Sequence, residues 1–138
     1  MKKMTKLITV TLAAAFGLAA VTYADGTTPA APTLPPASTK TGVTYATDIK
    51  PIFDAVCLKC HDSKKPKQAA KLSLDTLAGV LKGSKGGQVI VPGNSTKSHL
   101  VLSVAHIGDP DSFMPKKAKP LTPEQIGLIR AWIDQGAK

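Results

Sequence analysis

An all-α domain is the fold class that this 138-residue sequence predicts, on three observations. Four segments in its C-terminal two thirds carry apolar residues at helical spacing. Capping residues stand at the starts of these segments, and glycine follows the second and the last. The one run with strand character, Gln88 to Val91, has no partner run, and a lone strand is poorly stable.

The chain divides into three parts before the helices are considered. Residues 1–24 read as a secretory signal peptide: "MKKMTK" is a basic start, "LITVTLAAAFGLAAV" is an apolar core, and Ala24 with Thr22 suits cleavage before Asp25. That core is shorter than the ~20 apolar residues a transmembrane helix needs, although an uncleaved anchor is the alternative reading. Residues 25–44 are rich in Pro, Ala and Thr, with Leu34 and Val43 as their only large apolar residues, which predicts an extended, flexible tether. The folded domain is then residues 45–138, large enough for one small core.

Its first helix is expected in "TDIKPIFDAVCLKC", with Thr47 or Asp48 as cap and Pro51 in the first turn, where a missing N–H costs little. Ile49, Ile52, Phe53 and Val56 form its apolar face. The second is short, "LDTLAGVLKG", with Asp75 as cap and Gly83 as stop. The third, "NSTKSHLVLSVA", is capped by Asn94 or Ser95 and buries Leu100, Val101 and Val104. The fourth is the clearest: Thr122, Pro123 and Gln125 make a capping box, Ile126, Ile129, Trp132 and Ile133 make the buried stripe, and Gly136 ends it. Aromatic residues within residues 45–138 are few, Tyr45, Phe53, Phe113 and Trp132, so a large apolar cofactor would complete a thin core.

Both cysteines and one of the three histidines fall within five residues, Cys57-Leu58-Lys59-Cys60-His61. In an oxidising compartment two free thiols do not ordinarily persist, so something must consume them. The spacing is the attachment signature of c-type haem. Both thiols can add to the two vinyl groups on one porphyrin edge, which holds the next residue, His61, beneath the iron. The other chemistries fit less well. A structural zinc site needs four ligands, and the remaining histidines, His99 and His106, bring no second cysteine pair. A thioredoxin-like pair expects a βαβ context that this sequence does not offer. A disulfide across so short a loop would be strained.

A second axial ligand is the open question. Once a signal peptide is removed, Met114 is the single methionine left, in the turn-rich "DPDSFMPKK", where a thioether is oddly placed for core filling. His106, just after the third helix, is the rival ligand, and His99 sits on the polar side of that helix. His61 also needs an acceptor for its other ring N–H, for which the carbonyl of Pro92 is a candidate. Trp132 is expected either in the core or against a haem propionate.

The order "DIKPIF…CLKCH…LSLDTLAGVLKG…IVPGNSTKSHLV…MP…LTPEQIGLIRAWIDQGA" resembles the small c-type cytochromes of the planctomycete type, within the class I cytochrome c superfamily. The resemblance spans residues 46–138 and implies a cytochrome c-like helical domain around one covalent haem c per chain. It further implies thioethers at Cys57 and Cys60, His61 as proximal and Met114 as distal iron ligand, and first and last helices that cross near the haem. One departure is Lys116, where a second proline is expected after Met114-Pro115; it leaves that loop less rigid.

With 18 Lys and Arg against 9 Asp and Glu the net charge is +9, and loss of Lys2, Lys3 and Lys6 with the signal leaves +6. Such a charge favours acidic partners. Nucleic acid is not indicated, because no interleaved aromatic and basic surface is present. Two lysine groups, Lys64, Lys65, Lys67 and Lys71, then Lys116, Lys117 and Lys119, flank the expected iron ligands and predict docking of acidic redox donors and acceptors. No Ser/His/Asp set, paired carboxylates or nucleotide loop is evident, so the sequence reads as an exported, periplasmic one-electron carrier rather than an enzyme. The alternatives are a gas-binding or sensing haem protein with an open distal site, and an electron-transfer subunit of a larger oxidoreductase.

Overall fold

The computed structural model describes residues 33–65 and 68–138. The expected signal peptide, the first part of the tether, and Lys67 lie outside the described residues. Helices supply the regular structure: α1 (Lys50–Val56), α2 (Leu77–Lys82), α3 (His99–Val104) and α4 (Pro123–Asp134). Among the described residues there is no strand, only one isolated bridge between Ser84 and Gly87, so Gln88 to Val91 is loop. No described helix is long and apolar enough to cross a membrane.

The first predicted helix begins earlier than its periodicity suggests. A wide π-helical turn, Tyr45–Ile49, runs directly into α1 and is capped by Thr44, whose side chain accepts from the Thr47 N–H. Asp48 does not cap this turn. It accepts from the Lys40 ammonium, the Thr44 N–H and the Thr47 hydroxyl, which in that order of weight hold its carboxyl down at about 2. Pro51 stands in the first turn of α1, as expected.

The cap of α2 is Thr76 rather than Asp75, since the threonine hydroxyl accepts from the Gly79 N–H at 3.1 Å. Asp75 instead accepts from the backbone and hydroxyl of Ser63, twelve residues back, and ties α2 to the Cys57–His61 turn. Gly83 ends α2 at φ +82°, a region that favours glycine. The third segment divides: Asn94 caps a 3₁₀ turn, Ser95–Lys97, and Ser98 then opens α3. In α4 the capping box is complete, with Thr122 accepting from the Gln125 N–H and Gln125 accepting from the Thr122 N–H.

The core gathers around α4. Trp132, Ile129 and Ile133 are fully buried with Phe53, Ile49, Val80 and Val101. Tyr45 joins the two ends of the domain, its ring centroid 5.9 Å from Trp132 and 6.3 Å from Phe53. Thus α4 packs on the turn that leads into α1, and also on α3 and the Ser95–Lys97 turn. Asp134 accepts from the backbone and hydroxyl of Ser95, which fixes that turn against α4.

Residues 33–44, assigned to a tether by composition, are extended but docked on α4. Ser38 N–H donates to the Gly127 carbonyl at 2.9 Å, Arg130 donates to the Pro35 carbonyl, and Gln135 accepts from Val43 N–H and donates to the Lys40 carbonyl. Val43 is buried and Leu34 packs against the core. The reason is that this strap uses its backbone rather than large side chains to bind the helix. Gly127 makes the approach possible: a Cβ there would lie 2.7 Å from the Pro36 carbonyl oxygen.

Candidate functional site

The end of α1 sets the positions of the three clustered groups. Cys57 and Leu58 donate their N–H groups to the Phe53 carbonyl, and Cys60 and His61 then donate to the Cys57 carbonyl at 3.1 and 3.0 Å. The turn so formed carries Cys57, Cys60 and His61 to one wall of a cavity. The returning chain pins it: Ala69 N–H donates to the Cys60 carbonyl and Leu74 N–H to the His61 carbonyl at 2.8 Å. Leu74 is held in turn by the Tyr45 hydroxyl, which donates to its carbonyl at 2.8 Å. A core aromatic residue therefore holds Leu74, the residue whose N–H holds the His61 backbone.

The cavity holds about 540 Å³, within the roughly 300–1,000 Å³ span of small-molecule and cofactor sites. Its walls are mainly apolar, from Phe53, Leu72, Leu74, Val89, Leu100 and Leu121. Met114 lines it too, delivered by the loop after α3. The Met114 N–H donates to the Ser103 carbonyl at 3.0 Å, so the loop is tied to α3 at this residue.

The rival ligands are distributed differently from expectation. His106 is not among the cavity-lining residues; its Nε2 is 3.0 Å from the Met114 carbonyl and its ring stacks on Phe113 at 4.8 Å. His99, expected on a solvated face, is exposed yet stands at the cavity rim, 3.4 Å from the Ser103 hydroxyl. Trp132 is core, with its indole N–H donated to the Lys138 carbonyl, and no residue of α4 lines the cavity. Of the lysine groups, Lys116 and Lys117 line the cavity, joined by Lys59 from between the cysteines, a residue the sequence reading passed over. Lys64, Lys65 and Lys71 are exposed away from its lining.

The environment of the cluster separates the possible chemistries. Burial pushes the Cys57 thiol up to about 11, so it is a neutral thiol at ordinary pH. Reactive thiol pairs need the opposite shift, which argues against thioredoxin-like exchange. Among the described residues no three His, Cys, Asp or Glu side chains converge to hold a metal, so the zinc reading lacks its ligand set. Burial likewise lowers the pKa of His61, offset in part by the Leu72 and Ala69 backbone, and favours the neutral imidazole that ligates iron.

His61 Nδ1 is buried without a hydrogen-bond partner, so the Pro92 carbonyl is not the acceptor expected from sequence. Buried polar atoms are rarely left so, and this one belongs to an imidazole facing an apolar cavity beside two free cysteines. The residues present fit a covalently attached haem.

Comparison with known proteins agrees. Residues 57–118 match the family model of planctomycete cytochrome c. The matched stretch begins on Cys57 and runs past Met114, so it contains Cys57, Cys60, His61 and Met114. Over that stretch this small, mostly helical domain is similar to planctomycete cytochrome c. No curated protein and no solved structure matches the chain.

Proposed function

We propose that this protein is an exported monohaem cytochrome c that carries single electrons, with His61 and Met114 as axial ligands and no catalytic role of its own. The observation that carries the reading is the lining of one apolar cavity by Cys57, Cys60, His61 and Met114 together, within the stretch that matches planctomycete cytochrome c. A haem bound there would supply the one-electron ferric/ferrous couple. The protein's part is to anchor and tune it: Cys57 and Cys60 would form the thioethers, and His61, whose backbone carbonyl accepts from the Leu74 N–H, would present its imidazole from a fixed main chain. Met114 would supply the second protein ligand to the haem iron, and Met/His ligation raises the reduction potential. The apolar walls would keep water away from a haem bound there.

Lys59, Lys116 and Lys117 surround part of the same cavity and would meet acidic redox donors and acceptors. Export follows from the basic and apolar N-terminal sequence together with the oxidising compartment that c-type attachment suits.

The test sets a carrier against a ligand-binding haem protein. Adding carbon monoxide to the ferrous protein should leave its visible spectrum unchanged over seconds, and electron transfer with an acidic partner should slow as salt rises. Prompt carbon monoxide binding would overturn the carrier reading in favour of an open distal site.

A further inference from the structure

We infer that His106 is a positioning residue that clamps Met114, which rests on the reading that Met114 is the distal ligand. The inference stands on four features of the chain after α3. Its peptide is fixed first: His106 N–H donates to the Ser103 carbonyl and the next N–H, of Ile107, to the Leu102 carbonyl, so the residue sits at the helix end with φ +55°. The ring is fixed next, lying parallel to Phe113 within 4°. Its Nε2 then meets the Met114 carbonyl at 3.0 Å. A carbonyl only accepts, so Nε2 carries the hydrogen and His106 donates. The fourth feature is on Met114 itself, whose N–H is already held by the Ser103 carbonyl. Both backbone polar groups of Met114 are therefore bonded to α3 or to His106, two residues past its end, inside an otherwise turn-rich loop.

This matters at the cavity. The loop carries Lys116 where a second proline would stiffen it, so rigidity at Met114 must come from elsewhere. His106 supplies it by bonding the backbone of the residue whose side chain lines the cavity, while its own ring stays outside the lining. It acts through Met114 and does not touch the cofactor.

The experiment compares the haem-loaded protein with its His106→Phe, His106→Gln and Met114→Ala variants. Phenylalanine keeps a ring against Phe113 and removes the donor; glutamine keeps a donor and removes the ring. Three readouts are taken: the far-red band of thioether-to-iron ligation in the ferric protein, the midpoint potential, and the rate of carbon monoxide binding to the ferrous protein. The clamp predicts that His106→Phe weakens the band, lowers the potential and speeds carbon monoxide binding about fivefold, the effect of losing one ordinary hydrogen bond. His106→Gln should restore all three towards the parent. If Met114→Ala abolishes the band while His106→Phe leaves the readouts unchanged, the clamp is wrong and the ligand assignment stands. Equal loosening in the Phe and Gln variants would overturn the hydrogen bond as its basis. If Met114→Ala changes nothing, the ligand assignment fails and the clamp fails with it.

Discussion

Tyr45 shows how much one side chain settles here. It is buried between Phe53 and Trp132, and its hydroxyl donates to the carbonyl of Leu74, the residue whose N–H donates to the His61 carbonyl. Burial first, then the charges of Asp75 and Asp54, push its phenol up to about 12. The sign of the consequence follows from proton binding. Above pH about 10 the unfolded chain loses the phenolic proton while the folded chain retains it, so stability falls as pH rises from about 10 to about 12. Tyr45→Phe should remove that share of the alkaline fall and cost about 1 kcal/mol at neutral pH for the lost hydrogen bond. Chemical denaturation at a series of pH values checks both parts. That Cys57, Cys60 and His61 share one cavity wall was legible in the sequence, because they sit within five residues at a fixed spacing. The roles of Tyr45 and His106 were not, since each depends on a bond to a backbone carbonyl that the fold brings near.

Short-range signals decided the elements that sequence read well. The capping box of α4 is complete because its two bonds join residues three apart, and such local geometry is written directly in the order Thr-Pro-Glu-Gln. The cap of α2 was misassigned for the converse reason: Asp75 is drawn to Ser63, a partner that no local rule supplies. The strap of residues 33–44 is the larger omission. It holds α4 through the carbonyls of Pro35, Lys40 and Gly127, groups that composition does not display. Gly127→Ala separates the two influences on α4. Helix propensity alone would stabilise the variant by up to about 1 kcal/mol. The added Cβ, 2.7 Å from the Pro36 oxygen, should instead destabilise it by about 1–3 kcal/mol as overpacking does. A lowered thermal midpoint supports the docked strap, and a raised one would mean that the strap does not hold this position.

At the scale of the molecule, a small core and a sizeable cavity belong together. The largest buried side chains collect around α4 and the start of α1, and the cavity of about 540 Å³ opens between the end of α1, the start of α3 and the Met114 loop. One cofactor can thus complete the packing and perform the chemistry. On the function proposed above, Cys57 and Cys60 attach a haem c whose iron is held by His61 and Met114. The most direct measurement is the visible spectrum of protein expressed with haem-maturation machinery, oxidised and then reduced, with a denaturing pyridine assay for covalent attachment. The account predicts one covalently attached haem per chain and, in the ferric form, the weak far-red band of thioether ligation. Covalent haem without that band would contradict Met114 as ligand, and protein with no haem at all would contradict the account as a whole.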